Sequence, residues 1–126
     1  MTPAVRGVLL FAHGARDARW AAPFEAVAAK LRERDPALQV RLAFLEFMTP
    51  DLVSAGLELA AAGCARVDVV PLFLGAGGHV RKDIPELLGR LQAQAGHVEW
   101  RLAPAIGEVA TVIDAMAAAA AQIAME

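Results

Sequence analysis

Cysteine is almost missing from this chain of 126 residues: Cys64 stands alone. No intramolecular disulfide can form, and neither a thiolate-rich zinc site nor a Cys-x-x-Cys redox pair can be assembled, which fits a reducing cytoplasm. A basic excess is missing too. Twelve Lys and Arg against fourteen Asp and Glu leave a formal net charge of -2, so no global field favours nucleic acid and an anionic ligand must be met by a local cluster. Long hydrophobic runs are also lacking. The first, Val8 to Ala12, is far shorter than a signal-peptide core and runs straight into His13, Arg16 and Asp17. The alanine-rich tail carries Asp114 and Gln122 and falls short of the roughly 20 apolar residues that span a bilayer. A soluble protein with no membrane partner is expected. Neither a Walker loop nor a Rossmann Gly-x-Gly-x-x-Gly occurs.

What is present is apolar: 57% of the residues are hydrophobic, enough for one domain over residues 1–126. Four short, partly β-branched runs alternate with stretches of helical period, the pattern of an α/β fold with a parallel sheet. The strands are expected at Gly7 to Ala12, Gln39 to Leu45, Arg66 to Phe73 and Val98 to Leu102. Val8 to Phe11 in the first and Val69 to Leu74 at the end of the third are continuous apolar runs, whereas the second and fourth carry charges at alternate places. Buried strands read as the former and edge strands as the latter, which predicts an open four-stranded sheet of order 2-1-3-4, right-handed crossovers and helices on both faces. Pro71 cannot donate to a ladder, so a bulge or an early strand end is expected there.

The first helix is capped by Asp17 and kinked at Pro23, or else begins near Pro23. The second is expected to start at Thr49 and Pro50 and stop near Gly63. The third starts from an Asp83/Glu86 capping box, with Ile84, Leu87, Leu88 and Leu91 on one face, and ends at Gly96. The last carries Val109, Val112, Ile113, Met116, Ala120 and Ile123 on one stripe.

In such a sheet ligands bind beyond the carboxyl ends of the strands, where the order reverses. His13 follows the first strand and enters the turn Gly14-Ala15-Arg16-Asp17. Glu46 follows the second as a lone carboxylate among Phe44, Leu45, Phe47 and Met48. His79 follows the third in Gly75-Ala76-Gly77-Gly78-His79-Val80-Arg81-Lys82, a glycine-rich loop able to approach a ligand closely. Each alone has a plain reading as a turn histidine, a solvent-facing acid or a connector. Together they are evenly spaced along the chain on one rim, and two imidazoles with a carboxylate suit Co²⁺, Fe²⁺, Ni²⁺ or Zn²⁺. His97 and Cys64 fall at the opposite rim and are read as a turn residue and a packing residue. Trp20 and Trp100 are read as core or interface side chains rather than stacking platforms.

The motifs Ala12-His13-Gly14 with Arg16-Asp17, Ala43-Phe44-Leu45-Glu46, and Val70-Pro71-Leu72-Phe73-Leu74 followed by Gly77-Gly78-His79-Val80 and Asp83-Ile84-Pro85 resemble those of small CbiX-type chelatases. Those proteins insert cobalt or iron into sirohydrochlorin. The resemblance covers nearly the whole chain. It implies a chelatase-like fold, like half of the longer two-domain chelatases, and an ATP-independent class II activity without organic cofactor. It also implies a tetrapyrrole substrate, a homodimer, and metal binding at the residues matching His13, Glu46 and His79. The same three suit proton removal, while Arg16, Arg19, Gly77, Gly78, Arg81 and Lys82 flank the histidine loops where a polycarboxylate substrate can be held. The family usually has serine where this chain has Ala15. A metal- or tetrapyrrole-binding relative without turnover is the rival reading. A phosphohistidine at His13 is a weaker one, since alanine rather than an anchoring arginine precedes it.

Overall fold

The chain's computed structural model describes residues 4–75 and 77–126, and of residues 78–80 the backbone alone. The strands β1 (Val5–Ala12), β2 (Gln39–Phe44), β3 (Cys64–Pro71) and β4 (Glu99–Leu102) alternate with the helices α1 (Ala22–Arg34), α2 (Leu52–Ala61), α3 (Gly78–Gln94) and α4 (Ala110–Ala124). All strand pairs are parallel and the order is β2-β1-β3-β4. The order is the expected one: the apolar runs Val8 to Phe11 and Val69 to Leu74 lie in or at the end of the two inner strands, although β3 also carries Arg66 and Asp68 nearer its start.

Alternation along β1 divides the core. Leu9 and Phe11 pack with Leu52, Leu59, Ile84 and Leu91 of α2 and α3, joined by Val67 and Val69 of β3. Leu10, one residue out of phase, packs with Ala28 of α1 and Val40 of β2. Period-2 side-chain direction turns one continuous apolar strand into the floor of two cores. β3 ends at Pro71, opposite Phe11. This is the early strand end that a proline without N–H imposes, and Leu72 resumes bonding by donating to the Phe11 carbonyl.

One helix start matches one of its two expected alternatives, and two differ from expectation. Asp17 caps a short 3-10 turn, Ala18–Ala21, by accepting from the Arg19 N–H, and α1 proper begins at Ala22 with Pro23 in its first turn. The chain thus takes the second alternative, a start near Pro23, with Asp17 capping the separate turn before it. The cap of α2 is Asp51, which accepts from the Ser54 N–H, rather than Thr49; the Thr49–Pro50 bond is cis and precedes the helix. The Asp83/Glu86 box does not start α3. That helix begins earlier, at Gly78 with Gly77 as its extended cap, and Pro85 lies inside it. Asp83 followed by Pro85 looks like a helix start because proline suits a first turn; here the turns before it are helical as well. The C-terminal ends of α2 and α3 fall close to Gly63 and Gly96, as expected.

α4 has the expected span and a different environment. None of its residues is buried, and Ile113, Met116 and Ile123 of the apolar stripe are exposed. Its main contact is the 3-10 turn Ile106–Glu108 that precedes it. α1 therefore covers one sheet face and α2 with α3 the other. Among the described residues no helix is long and apolar enough to cross a membrane.

Candidate metal and ligand site

The carboxyl end of β1 is bonded to the carboxyl end of β2 beyond the sheet itself. The Leu45 N–H donates to the Ala12 carbonyl at 2.9 Å and the Glu46 N–H to the His13 carbonyl at 3.2 Å. Gly14 makes this possible. Its φ is +86°, and a Cβ there would run into the Glu46 carbonyl and press on Phe44. Only glycine lacks both obstacles, since side-chain-bearing residues avoid positive φ and would fill the space the Glu46 backbone occupies. Two loops far apart in sequence are thereby fixed side by side.

On that scaffold His13 Nδ1 lies 3.7 Å from Glu46 Oε1, and both side chains are about half exposed. The gap is too long for a hydrogen bond. It matches two atoms that share an ion, since ligands each ~2.0–2.2 Å from a metal lie roughly 3–4 Å apart. Glu46 is not the buried carboxylate its apolar neighbours suggest, so a partner is not needed to offset desolvation. The His13 ring meets the edge of Phe73 at 6.2 Å between centroids, with Phe73 itself held against Phe11. The core ring thus backs one side of the imidazole and leaves the other open.

His79 lies in the first turn of α3; its side chain is outside the described residues, as are the structure of Ala76 and the side chains beside His79. Among the described residues, no group of three His, Cys, Asp or Glu side chains is gathered for a metal. The expected trio is thus seen as a pair, His13 with Glu46, together with a backbone position for the third. Gly77 and Gly78 cap and open the same helix. Arg81 and Lys82, in its first turns, are exposed.

Beside the pair is a cavity of about 560 Å³ lined by His13, Glu46, Ala15, Arg16 and the aromatic side chains of Trp20, Phe24, Phe44 and Phe47. The Arg16 guanidinium stacks over the Phe47 ring, 4.8 Å from its centroid. Arg19 is not part of this lining. It turns to Asp17 in a forked pair, with its closest contact at 2.7 Å, and that bond holds the Asp17 carboxyl below its ordinary range and the Arg19 guanidinium above its own. The aromatic lining is what sequence reasoning missed. Trp20, read as core or interface, is 66% exposed and faces the cavity; Phe47 was noticed only as a neighbour of Glu46. The available signal was their position in loops after strands one and two, where a large apolar side chain has no core to enter. Trp100 is different: half-buried against the core, with its indole N–H donating to the Ala95 carbonyl.

A CbiX family model matches residues 7–123. The chain belongs to the CbiX family. Among curated relatives, a sirohydrochlorin cobaltochelatase of Saccharolobus solfataricus is 40% identical over 66% of this chain and 63% of its own length. One from Saccharolobus islandicus strain L.S.2.15 is 34% identical over 80% of this chain and 82% of its own. The chain spans 63% of the length of several such relatives, among them one from Methanococcus aeolicus at 28% identity. Among solved structures, a CbiX protein from Marinobacter aquaeolei VT8 superimposes with a TM-score of 0.82 at 34% identity, covering 95% of this chain and 98% of that one. The sirohydrochlorin chelatase SirB of Bacillus subtilis subspecies spizizenii, solved with cobalt, shares the fold at TM-score 0.71 and 23% identity; this CbiX chain covers 43% of it.

Proposed function

We propose that this CbiX chain acts as a single chelatase-like domain that inserts Co²⁺ or Fe²⁺ into sirohydrochlorin without ATP. The observation that carries the reading is the His13–Glu46 pair at the strand ends, opening on a cavity walled by aromatic residues and Arg16. Family membership and the activity named for its relatives support it. The metal is a substrate here, and Ni²⁺ and Zn²⁺ suit the same donor set. His79, from the first turn of α3, is proposed as the third ligand. Arg16, Gly77, Gly78, Arg81 and Lys82 are proposed to hold the carboxylate arms, with Arg19 able to join them only by leaving its forked pair with Asp17. A homodimer in the cytoplasm, serving cobalamin or sirohaem synthesis, completes the proposal.

The chemistry follows from what metallation requires. An aquated ion must exchange waters for ligands, the two pyrrole N–H groups must lose their protons, and the four nitrogens must then take the metal. Charge balances without oxidant or reductant: one M²⁺ enters and two H⁺ leave. His13 can bind the ion as neutral imidazole and, once the ion has passed on, accept a proton. Glu46 offsets the cation's charge and is the second acceptor.

Ala15 lines the cavity, so the serine hydroxyl that the resemblance implies at this position is absent from the site itself. That observation favours a binder without turnover as the second reading. Anaerobic incubation of the protein with sirohydrochlorin and Co²⁺, Fe²⁺, Ni²⁺ or Zn²⁺ in parallel separates the two. Insertion shifts the tetrapyrrole absorption, and a rate well above a protein-free control is expected with at least one of the first two ions. Tight binding of both substrates with a rate equal to the control would establish the binder.

A further inference from the structure

Among the described residues, three of the four connections at the carboxyl end of the sheet expose a large apolar side chain: Trp20 after β1, Phe47 after β2 and Leu74 after β3. Two of the three, Trp20 and Phe47, line the cavity that also holds His13, Glu46 and Arg16. Phe47 is the more informative. Its φ is +66°, which makes it the only described non-glycine residue in the left-handed region, a conformation that bulky side chains avoid. A strained residue persists where its surroundings over-determine it. Here the backbone is held by the Met48 N–H bonding to the Glu46 carbonyl at 2.8 Å, while the ring is 57% exposed and contributes little to any core. Arg16 stacked on it still has the edge N–H groups of its guanidinium to offer an anion. An aromatic wall beside a cation matches a flat conjugated ligand with carboxylate arms, and each half matches a different part of it.

Resting on the chelatase reading, we propose that Phe47 and Trp20 are substrate-contacting residues that grip the flat apolar body of the tetrapyrrole, with Arg16 presented to a carboxylate arm by its stack on Phe47. Neither residue acts on the metal.

The test compares Phe47→Gly, Phe47→Ala, Trp20→Ala and Trp100→Phe with the unaltered protein. It reads affinity for metal-free sirohydrochlorin, affinity for Co²⁺ alone, the thermal midpoint and the oligomeric state. Loss of the Phe47 ring is expected to weaken sirohydrochlorin about tenfold in both variants, and Trp20→Ala to do the same. Glycine suits the left-handed backbone, so Phe47→Gly is expected to melt above Phe47→Ala although both lose the ligand contact. Co²⁺ affinity stays unchanged in all four. Quenching of tryptophan emission by sirohydrochlorin survives in Trp100→Phe and is largely lost in Trp20→Ala. Normal sirohydrochlorin affinity in the Phe47 and Trp20 variants would overturn the proposal while leaving the chelatase reading intact. So would a change from dimer to monomer at unchanged affinity, which would make the patch a self-association surface. An unaltered protein that binds no sirohydrochlorin would remove the reading and the proposal together.

Discussion

The two ends of the sheet carry similar residues and use them differently. Each has a histidine and a glycine of positive φ: His13 and Gly14 at the carboxyl end of β1, and at the amino ends Gly63 before β3 and His97 before β4. A Cβ on Gly63 would meet nothing within 4 Å, whereas one on Gly14 would run into the Glu46 backbone. His97 is exposed in a turn joining α3 to β4; His13 is backed by Phe73 and faces Glu46. At the amino end each turn closes on itself. At the carboxyl end the loops close on one another, and that mutual contact turns ordinary turn residues into a site.

Two histidine variants give the largest separation between the ends. His13→Ala is expected to lower metal insertion into sirohydrochlorin by at least about 100-fold, as loss of a positioned ligand and base does. His97→Ala is expected to leave the rate and the melting temperature unchanged. Equal rates in the two variants would erase the distinction between the rims.

The glycines give a smaller contrast, read in stability. Gly63→Ala pays only for the left-handed backbone, about 1–2 kcal/mol. Gly14→Ala adds to that cost a collision with the Glu46 carbonyl and must push the β2 loop away, so it is expected to cost more than Gly63→Ala and to weaken Co²⁺ binding as well. Denaturant midpoints and a Co²⁺ titration check both halves. Matching losses of stability, with Co²⁺ affinity retained in both, would mean that Gly14 serves its own turn alone.

Much of this asymmetry was legible before any coordinates. The apolar runs Val8 to Phe11 and Val69 to Leu74 marked β1 and β3 as inner strands, since buried strand segments leave little place for charge; Arg66 and Asp68, at the other end of β3, sit only half-buried and pair with each other. The switch point between them then directed attention to His13 and His79. Helix starts were less legible, since several residues near each start can cap. Asp51 and Thr49 both qualify by type, and only the Ser54 N–H contact decides for Asp51. The stripe on α4 was read correctly as a period and says nothing about what covers it. Trp20 and Phe47 went unrecognised because an aromatic in a short loop looks the same whether it turns into a core or out to a ligand. The loop-to-loop bond from Glu46 to His13, which sets the geometry of the site, leaves no local pattern in the sequence at all.

Acid offers the finest probe of the same comparison. The Ser54 N–H, bonded to the Asp51 carboxylate at 2.8 Å, holds that carboxyl below its ordinary value, with Arg90 adding a smaller pull in the same direction. A carboxyl depressed on folding binds fewer protons in the native state than in the unfolded chain. Its contribution is therefore complete above the unfolded value near 3.9 and disappears as pH falls through the lower folded value. At the far end of α2 the Ala62 and Gly63 N–H groups bond to backbone carbonyls, which do not titrate. Acid below about pH 4 should thus loosen the carboxyl-end start of this helix before its other end. Asparagine can accept the same Ser54 bond without titrating, so Asp51→Asn is expected to lie within about 1 kcal/mol of the natural chain at neutral pH. Its melting temperature should fall less steeply as pH drops from about 5 to about 2. Two parallel curves would show that the Asp51 bond is not coupled to the stability of the fold. A shallower curve for the variant, with amide exchange of Ser54 accelerated by acid only in the natural chain, would locate the acid-sensitive point at the end of the sheet where the ligand site is built.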